Sequence, residues 1–163
     1  MSRVGAFLFC GIMLCGVVTD AQIYPGYMRQ ETPMMRQDMV RHRYVQLHGV
    51  PATYLDHRNP LKADEDVLTE GAKIYAEKCA SCHGDKGQGD GPQGKDLDPP
   101  PSPLAASVRM PIATDSYLFW AIADGGRELK TAMPAFRDVL GDEAIWKVVL
   151  YLRFRTWTAP DRK

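Results

Sequence analysis

The chain has 163 residues, 45% hydrophobic and 25% charged, with 20 Lys and Arg balancing 20 Asp and Glu and a mean hydropathy of −0.30. That length fits one domain with extensions. A net charge of zero supplies no basic footprint for nucleic acid. Residues 1–21 read as a targeting segment: Arg3 is the positive n-region and Val4 to Val18 is apolar. Fifteen helical residues reach roughly 22 Å, short of a ~30 Å hydrocarbon core, which suits a signal peptide better than a span. Thr19-Asp20-Ala21 offers an acceptable cleavage site before Gln22. Leu14 stands where a lipoprotein anchor on Cys15 would want a small residue. The rival reading is an uncleaved N-terminal anchor, the one case that brings membrane association. Export to the periplasm implies an oxidising compartment. Cleavage would remove Cys10 and Cys15, leaving Cys79 and Cys82 as the whole thiol inventory.

Residues 22–62 read as an irregular basic arm. Pro25, Gly26, Pro33, Gly49, Pro51 and Pro60 interrupt it, and helical periodicity is poor except across Met34 to Leu47. Six Lys and Arg (Arg29, Arg36, Arg41, Arg43, Arg58, Lys62) face three acids (Glu31, Asp38, Asp56), whereas the chain from residue 63 on is net acidic. Met28, Met34, Met35 and Met39 with His42, His48 and His57 raise a copper reading, because thioether and imidazole suit that metal. Their spacing forms no compact ligand set. The plainer reading is a tail lying on the domain or on a partner, with Met as an adaptable contact residue.

From Lys62 the signals sharpen. Asp64, Glu65 and Asp66 suit a helix N-terminus, and Val67, Leu68, Gly71, Ile74, Tyr75 and Lys78 follow helical spacing. Gly71 costs ~1 kcal/mol against Ala inside a helix, which predicts a close approach by another helix. The run "GDKGQGDGPQGKDLDPPPSP" predicts a long loop. Asp115 can cap a helix over "SYLFWAIAD", stopped by Gly125-Gly126. Gly141 opens a last helix, in which Ile145, Val148, Val149 and Leu152 form an apolar stripe flanked by Trp146 and Tyr151. No strand-turn-strand pattern occurs. The fold class is all-α.

The stretch "YAEKCASCHGDKGQGDG" carries the chemistry. A redox dithiol wants a helix N-terminus within a βαβ unit. Here Cys79 and Cys82 follow the C-terminal end of a predicted helix, and no sheet is expected. Zinc needs four ligands, and residues 84–163 contain neither Cys nor His. The spacing C-x-x-C-H instead reads as covalent haem attachment: two thiols one turn apart each add to a vinyl group, and the next residue, His83, offers Nε2 to the iron. A Met as sixth ligand makes such a haem an electron carrier of raised potential. Met133, 50 residues after His83 in the "GGRELKTAMPAF" loop, has the chain length to cross to the opposite haem face. Met110, 27 residues on, is the weaker candidate, and the arm histidines are weaker still.

With these residues in hand, residues 65–155 resemble the class I, mono-haem cytochrome c family through "GAKIYAEKCASCHG", "LDPPPSPL", "LFWAIADGG", "TAMPAF" and "DEAIWKVVLYLR". The resemblance implies a small helical fold wrapped around one covalent haem c, with an irregular N-terminal extension outside the family pattern. It implies that the helix carrying Gly71 and Tyr75 crosses the last helix near Trp146, Val149 and Tyr151. It also implies that a proline carbonyl of "DPPP", Pro100 or else Pro99 or Pro101, accepts the His83 Nδ1 hydrogen. An apolar shell of Ile74, Leu97, Leu104, Ile112, Leu118, Trp120, Ile122 and Phe136 would keep the ring dry, with ordinary core packing the equal alternative. Lys95, Arg109, Arg127 or Lys130 could meet a propionate, with a lean to Arg127.

The expected organisation is a signal peptide at 1–21, the arm at 22–62, a cytochrome c domain at 63–156 and a tail at 157–163. The expected function is one-electron transfer, not catalysis, through a haem held by Cys79, Cys82, His83 and Met133. The protein would act as a shuttle or as the haem subunit of a respiratory oxidoreductase, with redox proteins as partners. The alternative is a peroxidase or sensor with a labile sixth ligand.

Overall fold

The computed structural model describes residues 33–155, with side chains from residue 40 onward. The expected targeting segment, Met28, the side chains of Met34, Met35 and Met39, and the C-terminal tail lie outside that description. Among the described residues the helices are α1 (Pro33–His48), α2 (Glu65–Lys78), α3 (Ala80–His83), α4 (Leu104–Ser107), α5 (Asp115–Asp124) and α6 (Arg137–Phe154). Single 3₁₀ turns occur at Ala52–Tyr54, Pro92–Gly94 and Arg127–Leu129, and no strand occurs among the described residues. The all-α expectation holds. In the arm, helical periodicity is confined to Met34–Leu47, and that stretch is α1; residues 49–62 are irregular apart from one turn.

Helix α2 starts where its acids are. Asp64 is the N-cap and accepts from the Val67 N–H at 2.9 Å, while Glu65 and Asp66 occupy the first turn and Lys78 the last. For α5 the cap differs by one residue from the expectation. Thr114, not Asp115, holds the extended N-cap conformation, and its Oγ1 accepts from Tyr117 N–H. Asp115 is thereby released to take Arg153 of α6 at 2.8 Å. In α6 the chain breaks at Gly141, whose φ of 72° is left-handed, so the long straight segment begins after that glycine as its position predicts.

Helices α2 and α6 cross at Gly71. A Cβ there would lie 2.3 Å from the Lys147 carbonyl oxygen and 2.9 Å from Tyr151 Cβ, so only glycine lets the two backbones meet. Rings close the contact one turn further on, with Tyr75 and Tyr151 centroids 5.3 Å apart. The predicted stripe Ile145, Val148, Val149 and Leu152 is buried, and Trp146 with it. Helix α5 is buried almost all round, because α6 covers one side and the N-terminal segment the other. Tyr44 packs on Trp120 at 5.6 Å, His57 on Phe119 at 5.2 Å, and Phe119 on Trp146 at 4.3 Å. The arm residues from Val40 to Lys62 therefore lie along the domain rather than trailing from it.

Candidate functional site

The Cys79–His83 turn is built by local hydrogen bonds and then clasped by the glycine loop. Cys79 ends α2 with its N–H on Tyr75 O at 2.9 Å. Cys82 N–H and His83 N–H then both donate to Cys79 O, at 3.2 and 2.9 Å, which sets the two thiols one turn apart. The loop closes over this turn from outside. Gly89 N–H donates to His83 O at 2.8 Å and Gly91 N–H to Cys82 O at 3.1 Å. A Cβ on Gly91 would meet Ser81 O at 2.4 Å and the Cys82 carbonyl carbon at 2.6 Å. The glycines after the motif thus let a second stretch of backbone satisfy carbonyls that end a helix. Tyr75 OH adds a third tie, to Gly84 O at 2.7 Å. Gly84 O also accepts from Gly87 N–H at 3.0 Å, so Tyr75→Phe removes one of its two bonds and is expected to cost about 0.5–1.5 kcal/mol. The check is a lower denaturation midpoint at unchanged m-value; an unmoved midpoint would show that the tie contributes nothing.

His83 is half-buried, and its Nδ1 lies 3.0 Å from Ser102 O. A carbonyl can only accept, so Nδ1 carries the proton and Nε2 keeps its lone pair. Burial holds the imidazole below its ordinary pKa, and the Ser102 carbonyl opposes this in part. The ring is therefore a neutral donor ligand near pH 7. The carbonyl is not the expected one of Pro100, nor that of Pro99 or Pro101. Successive carbonyls along an extended proline run point in different directions, three to a turn. Pro101 O is turned toward Gly89, where a Cβ would sit 2.3 Å from it, and the next carbonyl reaches the imidazole.

Cys79 and Cys82 are free thiols in the half-buried class. Burial, with a smaller push from Cys82, drives the Cys79 thiol up to about 12. A dithiol for exchange needs the opposite shift. No three His, Cys, Asp or Glu side chains gather as metal ligands among the described residues, which leaves the zinc alternative without a ligand set. Two thiols one turn apart beside a neutral imidazole suit a flat cofactor held by sulfur links and one axial nitrogen.

A cavity of about 350 Å³ opens on this turn. Cys79, Cys82, His83 and Met133 all line it. Met133 is placed by α5: its carbonyl accepts from Gly126 N–H at 2.9 Å, and Phe136 N–H donates to Ile122 O at 3.1 Å. Met110 is 43% exposed and absent from the cavity wall. Of the expected apolar shell, Leu97, Leu104, Leu118, Ile122 and Phe136 line the cavity. Ile74, Ile112 and Trp120 do not; Trp120 faces the arm instead, against Tyr44. None of Lys95, Arg109, Arg127 and Lys130 reaches the wall. The cation there is half-buried Arg41, beside Val40 and His42 of α1; the sequence reading has His42 only as a weaker axial candidate and gives Arg41 and Val40 no part in the site. The available signal is the spacing of Arg41 and Tyr44, one turn apart and both on Trp120.

The family model described as cytochrome c oxidase, cbb3-type, subunit III matches residues 66–152, just over half of the chain. The chain belongs to this cytochrome c family. The Cys79–His83 turn and Met133 fall inside the matched segment, while α1 falls outside it. Comparison with curated proteins finds no match. Among solved structures, this cytochrome is similar to a chain of the reducing HAO-like protein complex of Kuenenia stuttgartiensis, at 29% identity and a TM-score of 0.48. That match covers 57% of this chain and 45% of that one. It is also similar to cytochrome cL of Methylophaga aminisulfidivorans, at 17% identity and a TM-score of 0.41, covering 68% of this chain and 64% of that one. The cytochrome thus spans less than two thirds of either chain. No helix among the described residues is long and apolar enough to cross a membrane.

Proposed function

We propose that this cytochrome is exported and carries single electrons through one haem c, linked by Cys79 and Cys82 and ligated by His83 and Met133. In this reading residues 1–21 are a signal peptide removed before Gln22, 22–62 an arm, 63–156 the haem-binding domain and 157–163 a tail. Haem iron, when bound, supplies the Fe(III)/Fe(II) couple. The chain's own part is to present two thiols one turn apart, to hold His83 as the Nδ1–H tautomer through Ser102, and to offer the Met133 thioether from the same cavity. The leucines and Ile122 in the wall keep charge-stabilising water away, which favours the reduced state. The observation that carries the proposal is that Met133, and not Met110, lines the cavity on which Cys79, Cys82 and His83 open.

The family's description as an oxidase subunit supports a role as the haem subunit of a respiratory oxidoreductase over that of a diffusing shuttle. Met133→Ala is expected to abolish the near-infrared sulfur-to-iron charge-transfer band of the oxidised protein, and Met110→Ala to keep it. The reverse pattern, or a band surviving in both variants, would overturn the ligand assignment. Co-purification of the exported protein with a membrane oxidase would bear out the subunit role; recovery as a lone soluble species would favour the shuttle.

A further inference from the structure

Arg41 is held on two sides. Its guanidinium carbon lies 4.6 Å from the centroid of the Trp120 ring, and Nη2 donates to Gly125 O at 2.7 Å. Gly125 ends α5, so the cation sits at the negative end of that helix. The other terminal nitrogen, Nη1, is shut off from solvent and has no hydrogen-bond partner among the described residues. Arg41 makes no ion pair with a described carboxylate either. Asp124, a carboxylate that acts on the guanidinium without pairing with it, is hydrogen-bonded to Tyr54, which also takes Arg137 at 3.1 Å. Burial of an arginine without an anion is costly, and its charge does not leave. The cavity wall therefore contains a fixed cation with one unused donor.

The cofactor the site suits brings the matching group. A haem carries two propionate carboxylates on its edge, and the four cations expected from the sequence to meet them lie away from the cavity wall. The other charged side chains of the wall, Glu77 and Lys78, are exposed, and the basic one of them can keep its charge in water. We propose that Arg41, in a helix outside the segment shared with the family, donates from Nη1 to a haem propionate. The arm is thereby a wall of the haem pocket and not only a tail lying on the domain. This rests on the haem reading above. A guanidinium already ordered by Trp120 and Gly125 forms such a bond with little further loss of side-chain freedom.

The consequence is electrostatic. Taking a positive charge from beside the haem favours the ferric state, so the potential falls. The test uses the full-length protein exported with haem attached, as parent, Arg41→Gln and Arg41→Lys. All three are expected to keep covalent haem and the Met133 charge-transfer band. In Arg41→Gln the reduction equilibrium is expected to shift tenfold toward ferric, which is about 59 mV for one electron. Arg41→Lys keeps the charge and should recover most of that shift. The propionate bending mode in resonance Raman should move in both variants, because neither keeps the planar fork.

Parent protein without covalent haem would end the haem reading itself. Haem-loaded variants with parental potential and an unmoved propionate mode would overturn the Arg41 assignment alone. So would an equal fall in both variants with the mode unmoved, the mark of a merely structural role. Should Arg41→Gln fail to accumulate, the propionate mode of Arg41→Lys decides: moved bears the assignment out, unmoved overturns it.

Discussion

Replacing both Cys79 and Cys82 with alanine is expected to yield a protein that retains no pigment after acid-acetone extraction and does not fold cooperatively. The reason is the space the fold keeps around these residues, a cavity of about 350 Å³ between the Cys79–His83 turn, α5 and the Met133 loop. Without haem that cavity is open to water, and its wall of Leu97, Leu104, Leu118, Ile122 and Phe136 loses the apolar contacts that a bound ring would supply. Domains of this size are stable by only about 5–15 kcal/mol in total, so such a loss weakens the whole fold. On the proposed attachment, sulfur links would make the cofactor part of the chain, and its contribution to folding would not fall with dilution, unlike that of a dissociable ligand. The check combines haem quantitation with near-UV and far-UV circular dichroism. A double variant that melts as sharply as the parent, without pigment, would show that the polypeptide fills its own core.

Gly71→Val is expected to destabilise the holoprotein by about 3 kcal/mol, at the upper end of overpacking, a factor above one hundred in the folding equilibrium. Valine adds a branched side chain where the first carbon alone would stand 2.3 Å from the Lys147 carbonyl oxygen. The atom met is backbone in the middle of α6, so neither partner can turn aside and the helices must separate. Gly71→Ala shows the same clash with its smallest occupant, and the ~1 kcal/mol gain in helix propensity offsets only part of it. Gly141→Ala is the useful contrast. A Cβ there meets nothing within 4 Å, and the penalty comes from its φ of 72° alone. Thermal melts of the three variants should therefore rank Gly71→Val far below Gly141→Ala. Equal losses would mean that the crossing is looser than its geometry.

The ion pairs across the same crossing matter less. Lys147 bridges Glu70 of α2 at 2.7 Å and Glu143 of its own helix at 2.8 Å, but both carboxylates are largely exposed. Such pairs are worth ~1 kcal/mol or less. The glycine, not the charges, decides how α2 and α6 meet.

Several features were legible before any fold was known because their physics is local. The acids at the start of α2, the stripe along α6 and the break at Gly141 each depend on residues within a turn or two of one another. The Cys79, Cys82 and His83 triplet is likewise a one-turn device, readable from spacing alone. Where the reading slipped, the deciding atom came from elsewhere in the chain. Thr114 rather than Asp115 caps α5, and α6 then takes Asp115 through Arg153. Ser102 rather than Pro100 receives the His83 proton, because the loop's docking on Gly89 sets which carbonyl faces inward.

The amino-acid order by itself determined the helices, the sulfur-and-imidazole turn and the short list of two methionines. The order of residues already preferred Met133 to Met110, and the tertiary structure brings Met133 to the cavity and leaves Met110 outside it. It alone brought Arg41 to Gly125, 84 residues away, and into the wall of the same cavity. Periodicity and capping are properties of neighbours along the chain, whereas a cavity is a property of surfaces that meet only after the chain has folded.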